Sequence, residues 1–203
     1  MNKLIVNILL VTLLLIATAE AGQKFEGLKD ELARANLVEL NVSIIIKSNI
    51  FGDVDSISGK IIIAEDSRYF AIMDNDKYWF DGNCISEYIW ENNQLTKDCL
   101  DEGEHFESEL LFIKNFDKYY TTREIETDSL YSLVKTDSLA VSLPDSLKVI
   151  FFQDNLDVPI LEYYDLNNDL NIVSINQREM FDSIPDDIFN PAIPDSVEII
   201  ILP

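Results

Sequence analysis

The stretch that most limits what this chain can become lies between residues 38 and 47. Val38, Leu40, Val42, Ile44 and Ile46 alternate with Glu39, Asn41, Ser43, Ile45 and Lys47. A period of two puts one set on each side of an extended strand and does not suit a helix, whose faces repeat near 3.6. A strand with one apolar face needs partners beside it and a cover above it. Further β-patterned runs follow at 57–64, 68–73, 77–80, 84–90 and 94–100, separated by turns bearing Asp, Asn and Gly. A second series follows at 119–126, 130–134, 147–153, 158–164, 170–176 and 197–202. Asp-Ser before an aliphatic residue recurs at 128–130, 137–139 and 145–147. The two polar side chains close turns onto the backbone, and the aliphatic residue opens the next strand.

Two segments keep a helical period instead. Phe25, Leu28, Leu32 and Ala35 make one apolar stripe within 23–36, and Phe106, Leu110, Ile113 and Phe116 make another within 104–117. Pro185 predicts a short helical turn over 185–189, with proline in its first position. Hydrophobic residues make up 47% of the 203, enough for a packed core, and no linker divides the chain. The expected class is α+β, mainly antiparallel β: one large, strongly curved sheet with amphipathic helices against it, forming a single domain over 22–203.

Residues 1–21 read as a secretory signal peptide. Lys3 gives the positive start, Leu4 to Ile16 is almost wholly apolar, and Ala19-Glu20-Ala21 is a small-x-small cleavage site before Gly22. The apolar run is shorter than the ~20 residues that span a bilayer. No Cys follows it, so no lipid anchor is expected on the exported, mature chain.

Charge excludes several classes of partner and chemistry. Fifteen basic residues stand against 37 acidic ones, a net charge of −22. Nucleic acid and a permanently bound anionic bilayer are not expected partners, because both need clustered Lys and Arg. Six glycines form no phosphate-cradling motif, and the one histidine, His105, leaves no zinc-protease helix and little scope for a triad. No enzyme, cofactor or metal is expected. The segment 165–169, Asp-Leu-Asn-Asn-Asp, opens like a calcium loop but lacks the sixth-position Gly and twelfth-position Glu, so a hairpin turn is expected. Cys84, Cys99 and His105 fit no common zinc spacing. If the hairpin at 91–93 turns about Glu91 and Asn92, Cys84 and Cys99 fall opposite one another, with Cα atoms about 4.5 Å apart, within reach of a disulfide. The alternative is two free thiols.

Strand parity proposes which side chains share a face. Ile44 with Ile46, and Ile61 with Ile63, are same-side pairs. A three-residue loop at 74–76 would put Phe70 and Ile72 on the side of Tyr78 and Phe80. A two-residue turn at Asp81-Gly82 would set Ile85 opposite Tyr78. Such a face is either ordinary core or the wall of a pocket for an acyl chain.

The order of elements and several short motifs resemble the LolA-like outer-membrane lipoprotein carrier family over most of the chain. The motifs are Ser58-Gly59-Lys60-Ile61-Ile62-Ile63, the aromatic Phe70, Asp81-Gly82-Asn83-Cys84-Ile85-Ser86-Glu87-Tyr88, and Asn93-Gln94-Leu95. The closing stretch 181–200 also fits. The family's Trp falls on Ser86, and its Arg-Pro falls on Glu65-Asp66. The resemblance implies an incomplete β-barrel with helices over its concave face. It also implies a monomeric carrier that takes lipoprotein acyl chains from an inner-membrane releasing transporter to an outer-membrane acceptor. Ile44, Ile46, Ile61, Ile63, Phe70, Ile72, Tyr78, Phe80 and Ile85 would then contact lipid. Phe25, Leu28, Leu32, Phe106, Leu110 and Ile113 would form the helical lid. Glu65 stands where the family's Arg latches that lid, so the lid should be looser, or latched by another residue such as Arg68. The second expectation is a cell-envelope sensor or interaction domain of the same fold, with its core filled by its own side chains.

Overall fold

The computed structural model describes residues 23–101, 112–136, 143–152, 155–185 and 187–202. Residues 1–22, with the signal-peptide pattern, lie outside that set. So do His105, Phe106 and Leu110.

Helix α1 (Gln23–Arg34) leads into β1 (Leu37–Lys47), β2 (Val54–Ala64), β3 (Tyr69–Met73), β4 (Asp76–Phe80), β5 (Cys84–Ile89) and β6 (Gln94–Cys99). A one-turn helix α2 (Phe116–Tyr119) precedes β7 (Tyr120–Glu126), β8 (Leu130–Lys135), β9 (Ser146–Phe152), β10 (Asn155–Tyr164), β11 (Leu170–Phe181) and β12 (Glu198–Ile201). All twelve strands form one sheet in the order β12-β6-β5-β4-β3-β2-β1-β11-β10-β9-β8-β7. Each strand of the series β1–β6 and of the series β7–β11 pairs with its sequence neighbour. The long-range pair β1–β11 joins the two series, and β12 and β7 are edges, so the sheet is open. All pairings are antiparallel except β12 with β6.

The alternation in β1 sets the layers. Val38 pairs with Ile63 and Leu40 with Ile61, and all four are buried on the helix side. Glu39, between them, faces the other way with Ile62, and its carboxylate meets Lys60 Nζ at 2.6 Å. The β1–β11 register shifts between Asn41 and Val42, leaving Asn176 as an extra residue in β11. Gly59 has a steric reason. A Cβ there would lie 2.1 Å from the Ile72 carbonyl oxygen and 2.6 Å from Met73 Sδ, so only glycine lets β2 and β3 approach this closely.

The stretch that follows β11 crosses the opposite side of the sheet. Phe189 is buried there with Leu37, Ile62 and Ala64, and Ile193 and Val197 pack on Trp79, Tyr88 and Leu95. Asn36 Nδ2 donates to the Asp182 carbonyl at 2.8 Å, Lys77 Nζ to that of Ala192 at 3.1 Å, and Asn93 Nδ2 to that of Ser196 at 3.0 Å. The 12-stranded sheet is therefore clad on both sides.

Three local expectations are corrected. The stripe over 104–117 does not continue as one helix through its described part, because Asn115 interrupts it. Its side chain accepts from the Lys118 N–H at 3.3 Å and starts α2 afresh. Residues 187–189 form turns, not a helix, closed by the Ile188 N–H on the Pro185 carbonyl at 3.4 Å. The β3–β4 loop is Asp74-Asn75 alone, since Met73 pairs with Asp76. Asp74 takes the positive φ of 51° that this tight connection needs.

Candidate functional site

Among the described residues, the largest cluster of buried apolar side chains lies on the sheet face beneath α1. On α1, Phe25, Leu28 and Leu32 are 0, 4 and 1% exposed. The Phe25 ring sits 5.3 Å from Phe116, 5.1 Å from Tyr131 and 6.5 Å from Phe151. Phe112 extends the aromatic group, 5.6 Å from Phe116 and 5.8 Å from Tyr120. The strands beneath contribute from both series, among them Ile61, Ile63, Phe80, Leu133, Val149 and Val173.

The short loop at Asp74-Asn75 decides where the expected wall residues go. Ile61, Ile63 and Phe80 are buried on this face, and Ile44, Tyr78 and Ile85 are half-buried against it. Ile46 follows Ile44 on the same side of β1 and is half-buried. Phe70 and Ile72 do not belong to the face. With a two-residue loop, Tyr69 opposes Phe80 and Ala71 opposes Tyr78, while Phe70 opposes Trp79 and Ile72 opposes Lys77. Phe70 packs instead on the opposite side, against the cluster of Leu37, Ile62, Ala64 and Phe189 and that of Trp79, Tyr88 and Leu95. One residue of loop length turned the strand over. Ile85 opposes Phe80 rather than Tyr78, a shift of two that keeps its side. Of the expected lid residues, Phe25, Leu28, Leu32 and Ile113 are buried in the cluster, and Phe106 and Leu110 lie outside the described residues.

The contacts that hold α1 are basic side chains at its rim. Lys29 Nζ lies 2.7 Å from Asp117 Oδ1 and 2.9 Å from Glu26 Oε1. Burial alone would lower its pKa, but the hydrogen bonds it donates to Asp117 and Glu26, with their negative charges, outweigh that and raise it. Lys114 Nζ donates to the Ala35 carbonyl at 2.6 Å, just beyond the end of α1. Its pKa is lowered, because burial outweighs the nearby charges of Glu65 and Asp66. Lys114 thus bonds the carbonyl that an acidic Glu65 cannot, and Glu65 supplies the counter-charge. Arg68 pairs with Asp66 at 2.8 Å and stacks 4.7 Å over the Phe189 ring on the opposite side of the sheet. Arg178 Nε reaches Glu31 Oε2 of α1 at 3.3 Å.

The described clefts open at the rim of this face. One of about 600 Å³ opens between α1 and β11, lined by Glu31, Arg34, Ala35, Asn176, Gln177, Arg178, Met180 and Asp182. Another of about 170 Å³ lies beside Lys114 and Lys118. None of the described clefts is walled by Phe25, Leu28, Leu32, Ile61, Ile63 or Phe80. Asp165 is a turn residue. Its Oδ1 accepts from the N–H groups of Asn167 and Asp169, at 2.9 and 3.0 Å. Cys84 and Cys99 are directly opposed and joined as a disulfide. Cys84 shares its side of β5 with Ser86 and Tyr88, away from the α1 face. Among the described residues, no three His, Cys, Asp or Glu side chains group to hold a metal ion.

Sequence reasoning missed Tyr69 and Ala71, and the whole β8–β11 half of the face. The signal for that half was present, since Tyr131 and Leu133, then Leu147, Val149 and Phe151, alternate as cleanly as β1 does.

No family model matches the sequence, and no curated protein matches it. Solved structures do resemble it. An uncharacterized conserved protein from Thermus thermophilus aligns at 6% identity over 89% of this chain and 98% of its own, with a TM-score of 0.49. A LolA superfamily protein from Nitrosomonas europaea aligns at 9% identity over 82 and 96%, with a TM-score of 0.45. A DUF1329 family protein from Desulfovibrio piger aligns at 11% identity over 79 and 92%, with a TM-score of 0.44.

Proposed function

We propose that this chain is a periplasmic carrier that shields lipoprotein acyl chains on the face beneath α1. The carrying observation is the nature of the cover. Over the apolar face lies a helix of 12 residues, with three large side chains inserted and charged contacts at its rim. A helix this short has little stability of its own. Lifting Phe25, Leu28 and Leu32 costs about 5–9 kcal/mol at the usual ~1.5–3 kcal/mol per buried side chain. An acyl chain of ~15 methylenes contributes about 12 kcal/mol in their place, at ~0.8 kcal/mol each. The exchange is favourable, with a margin small enough to permit release. The face acts as the concave wall of an incomplete barrel, with α1 as its lid. Carriage from an inner-membrane releasing transporter to an outer-membrane acceptor needs no covalent chemistry, cofactor or metal. The signal-peptide pattern at 1–21 supports the compartment.

One observation favours the second reading, an envelope sensor or interaction domain with a filled core. The face is occupied by the protein's own side chains, and none of the described clefts is walled by Phe25, Leu28, Leu32, Ile61, Ile63 or Phe80. Titration with a fluorescent long-chain fatty acid separates the two. The carrier binds it saturably, and Phe25→Ala binds it more tightly because less must be displaced. If neither folded protein binds, the filled-core reading stands.

A further inference from the structure

The two edges of the open sheet are built differently. β7 carries Arg123, Glu124 and Glu126, the charges that keep an edge strand from pairing with another chain. β12 carries Glu198 and then Ile199, Ile200 and Ile201, with Leu202 following. These four apolar residues are 59, 36, 71 and 43% exposed. The N–H groups of Glu198 and Leu202 donate to the carbonyls of Asn93 and Lys97 on the β6 side. Strand alternation therefore turns the N–H and C=O of Ile199 and Ile201 outward, where the sheet ends.

We propose that β12 pairs antiparallel with β12 of a second copy, about a two-fold axis at Ile200. The register follows from parity. Outward groups must meet outward groups, so Ile199 opposes the partner's Ile201 and Ile201 the partner's Ile199, each pair exchanging both hydrogen bonds. Moving the axis to Ile199 would need Val197, which precedes the strand, and moving it to Ile201 would need Pro203, which has no N–H. At the Ile200 axis, Glu198 faces the partner's Leu202, so no two carboxylates meet along the seam. Ile199 and Ile201 then pack laterally against their counterparts on one face and Ile200 against its copy on the other, and the two sheets become continuous. The seam is short beside the ~1,200 Å² of a standard interface, and each copy carries −22. The dimer is therefore concentration-dependent and strengthens with salt, which screens that repulsion. This differs from the monomer that the resemblance implies and does not depend on what the α1 face binds.

Both native cysteines are taken up in the Cys84–Cys99 bond, so an added thiol reports alone. Across the axis, Ile200 and its copy form a non-hydrogen-bonded pair with Cα atoms about 4.5 Å apart, within disulfide reach. Under mild oxidation, Ile200→Cys should give about tenfold more covalent dimer than Glu198→Cys, whose thiols stand away from the axis. In sedimentation velocity, the wild-type dimer fraction should rise with protein and with salt. Ile200→Asp, which faces two carboxylates across the axis, should stay monomeric. A wild-type chain that remains monomeric at millimolar concentration in high salt overturns the proposal. So does equal cross-linking of the two cysteine variants.

Discussion

Lys29 and Asp117 form an unequal pair: Nζ and Oδ1 are 2.7 Å apart, yet the lysine side chain is 9% exposed and the aspartate 65%. Glu26, the second partner, is 62% exposed. One nearly buried cation is held by two solvated anions, and the consequences of mutation differ by side. Lys29→Met leaves carboxylates that water can solvate, and stability should change by no more than about 1 kcal/mol. Glu26→Gln with Asp117→Asn strands the cation, and should cost about 2–3 kcal/mol. Urea denaturation of both variants checks this. The pH sign follows from the raised pKa of Lys29, whose ordinary value is 10.5. The stabilising contribution is complete below that value and disappears as pH rises through the higher folded value. The gap between wild type and Lys29→Met should hold through neutral pH and close only in strong alkali.

Phe70 lies under the C-terminal crossing, so Phe70→Asp should free that segment and leave the α1 face intact. Hydrogen exchange should quicken over 187–202 while Ile61 and Ile63 keep their protection, and acyl-probe binding should persist. Loss of probe binding by folded Phe70→Asp would put Phe70 back on the α1 side.

That reversal shows how far the sequence could be read. The strands were legible because β1, β5 and β9 alternate strictly and their turns carry Asp, Asn or Gly. The first helix was legible because Phe25, Leu28, Leu32 and Ala35 all fall on one stripe, and all four are buried. The opposition of Cys84 and Cys99 followed from one hairpin centre. The facing of β3 did not follow, because it hung on whether Asp76 belonged to the loop or to the strand. Nor did the cladding of the second side. Ile184, Ile188, Phe189, Ile193 and Val197 have no regular period, since they lie on an irregular segment that crosses several strands.

Tyr131 offers a separate handle on the same face. Its hydroxyl is buried and poorly satisfied, near the Phe25 backbone and the Asp128 side chain without a well-formed hydrogen bond. Burial, with the charges of Asp128 and Glu124, pushes its pKa from 10.0 to about 12. A folded value raised above the unfolded one contributes stability below pH 10 that is lost as pH rises toward 12. Tyr131→Phe should be neutral or slightly stabilising at pH 7, since it removes a buried, poorly satisfied hydroxyl. It should also flatten the alkaline loss of stability between those two values. Thermal melts across that range, with an unchanged alkaline slope in the variant, would count against this account of the core.

The Cys84–Cys99 bond closes a loop with a sequence separation of 15. Its loss should cost about 3 kcal/mol through the unfolded state. Cys84→Ser with Cys99→Ser should therefore lower the denaturation midpoint, and added reductant should lower the wild type's toward it without touching the variant. Two thiols alkylated in unreduced, unfolded protein would reject the bond.

The central claim is that the face beneath α1 exchanges Phe25, Leu28 and Leu32 for an acyl chain. Native mass spectrometry of the protein taken from the envelope of its own cells tests it most directly. The predicted spectrum contains the chain with one acylated species bound, displaced by an excess of a lipidated peptide. A bare chain in every preparation, with no adduct even after incubation with that peptide, would contradict the claim.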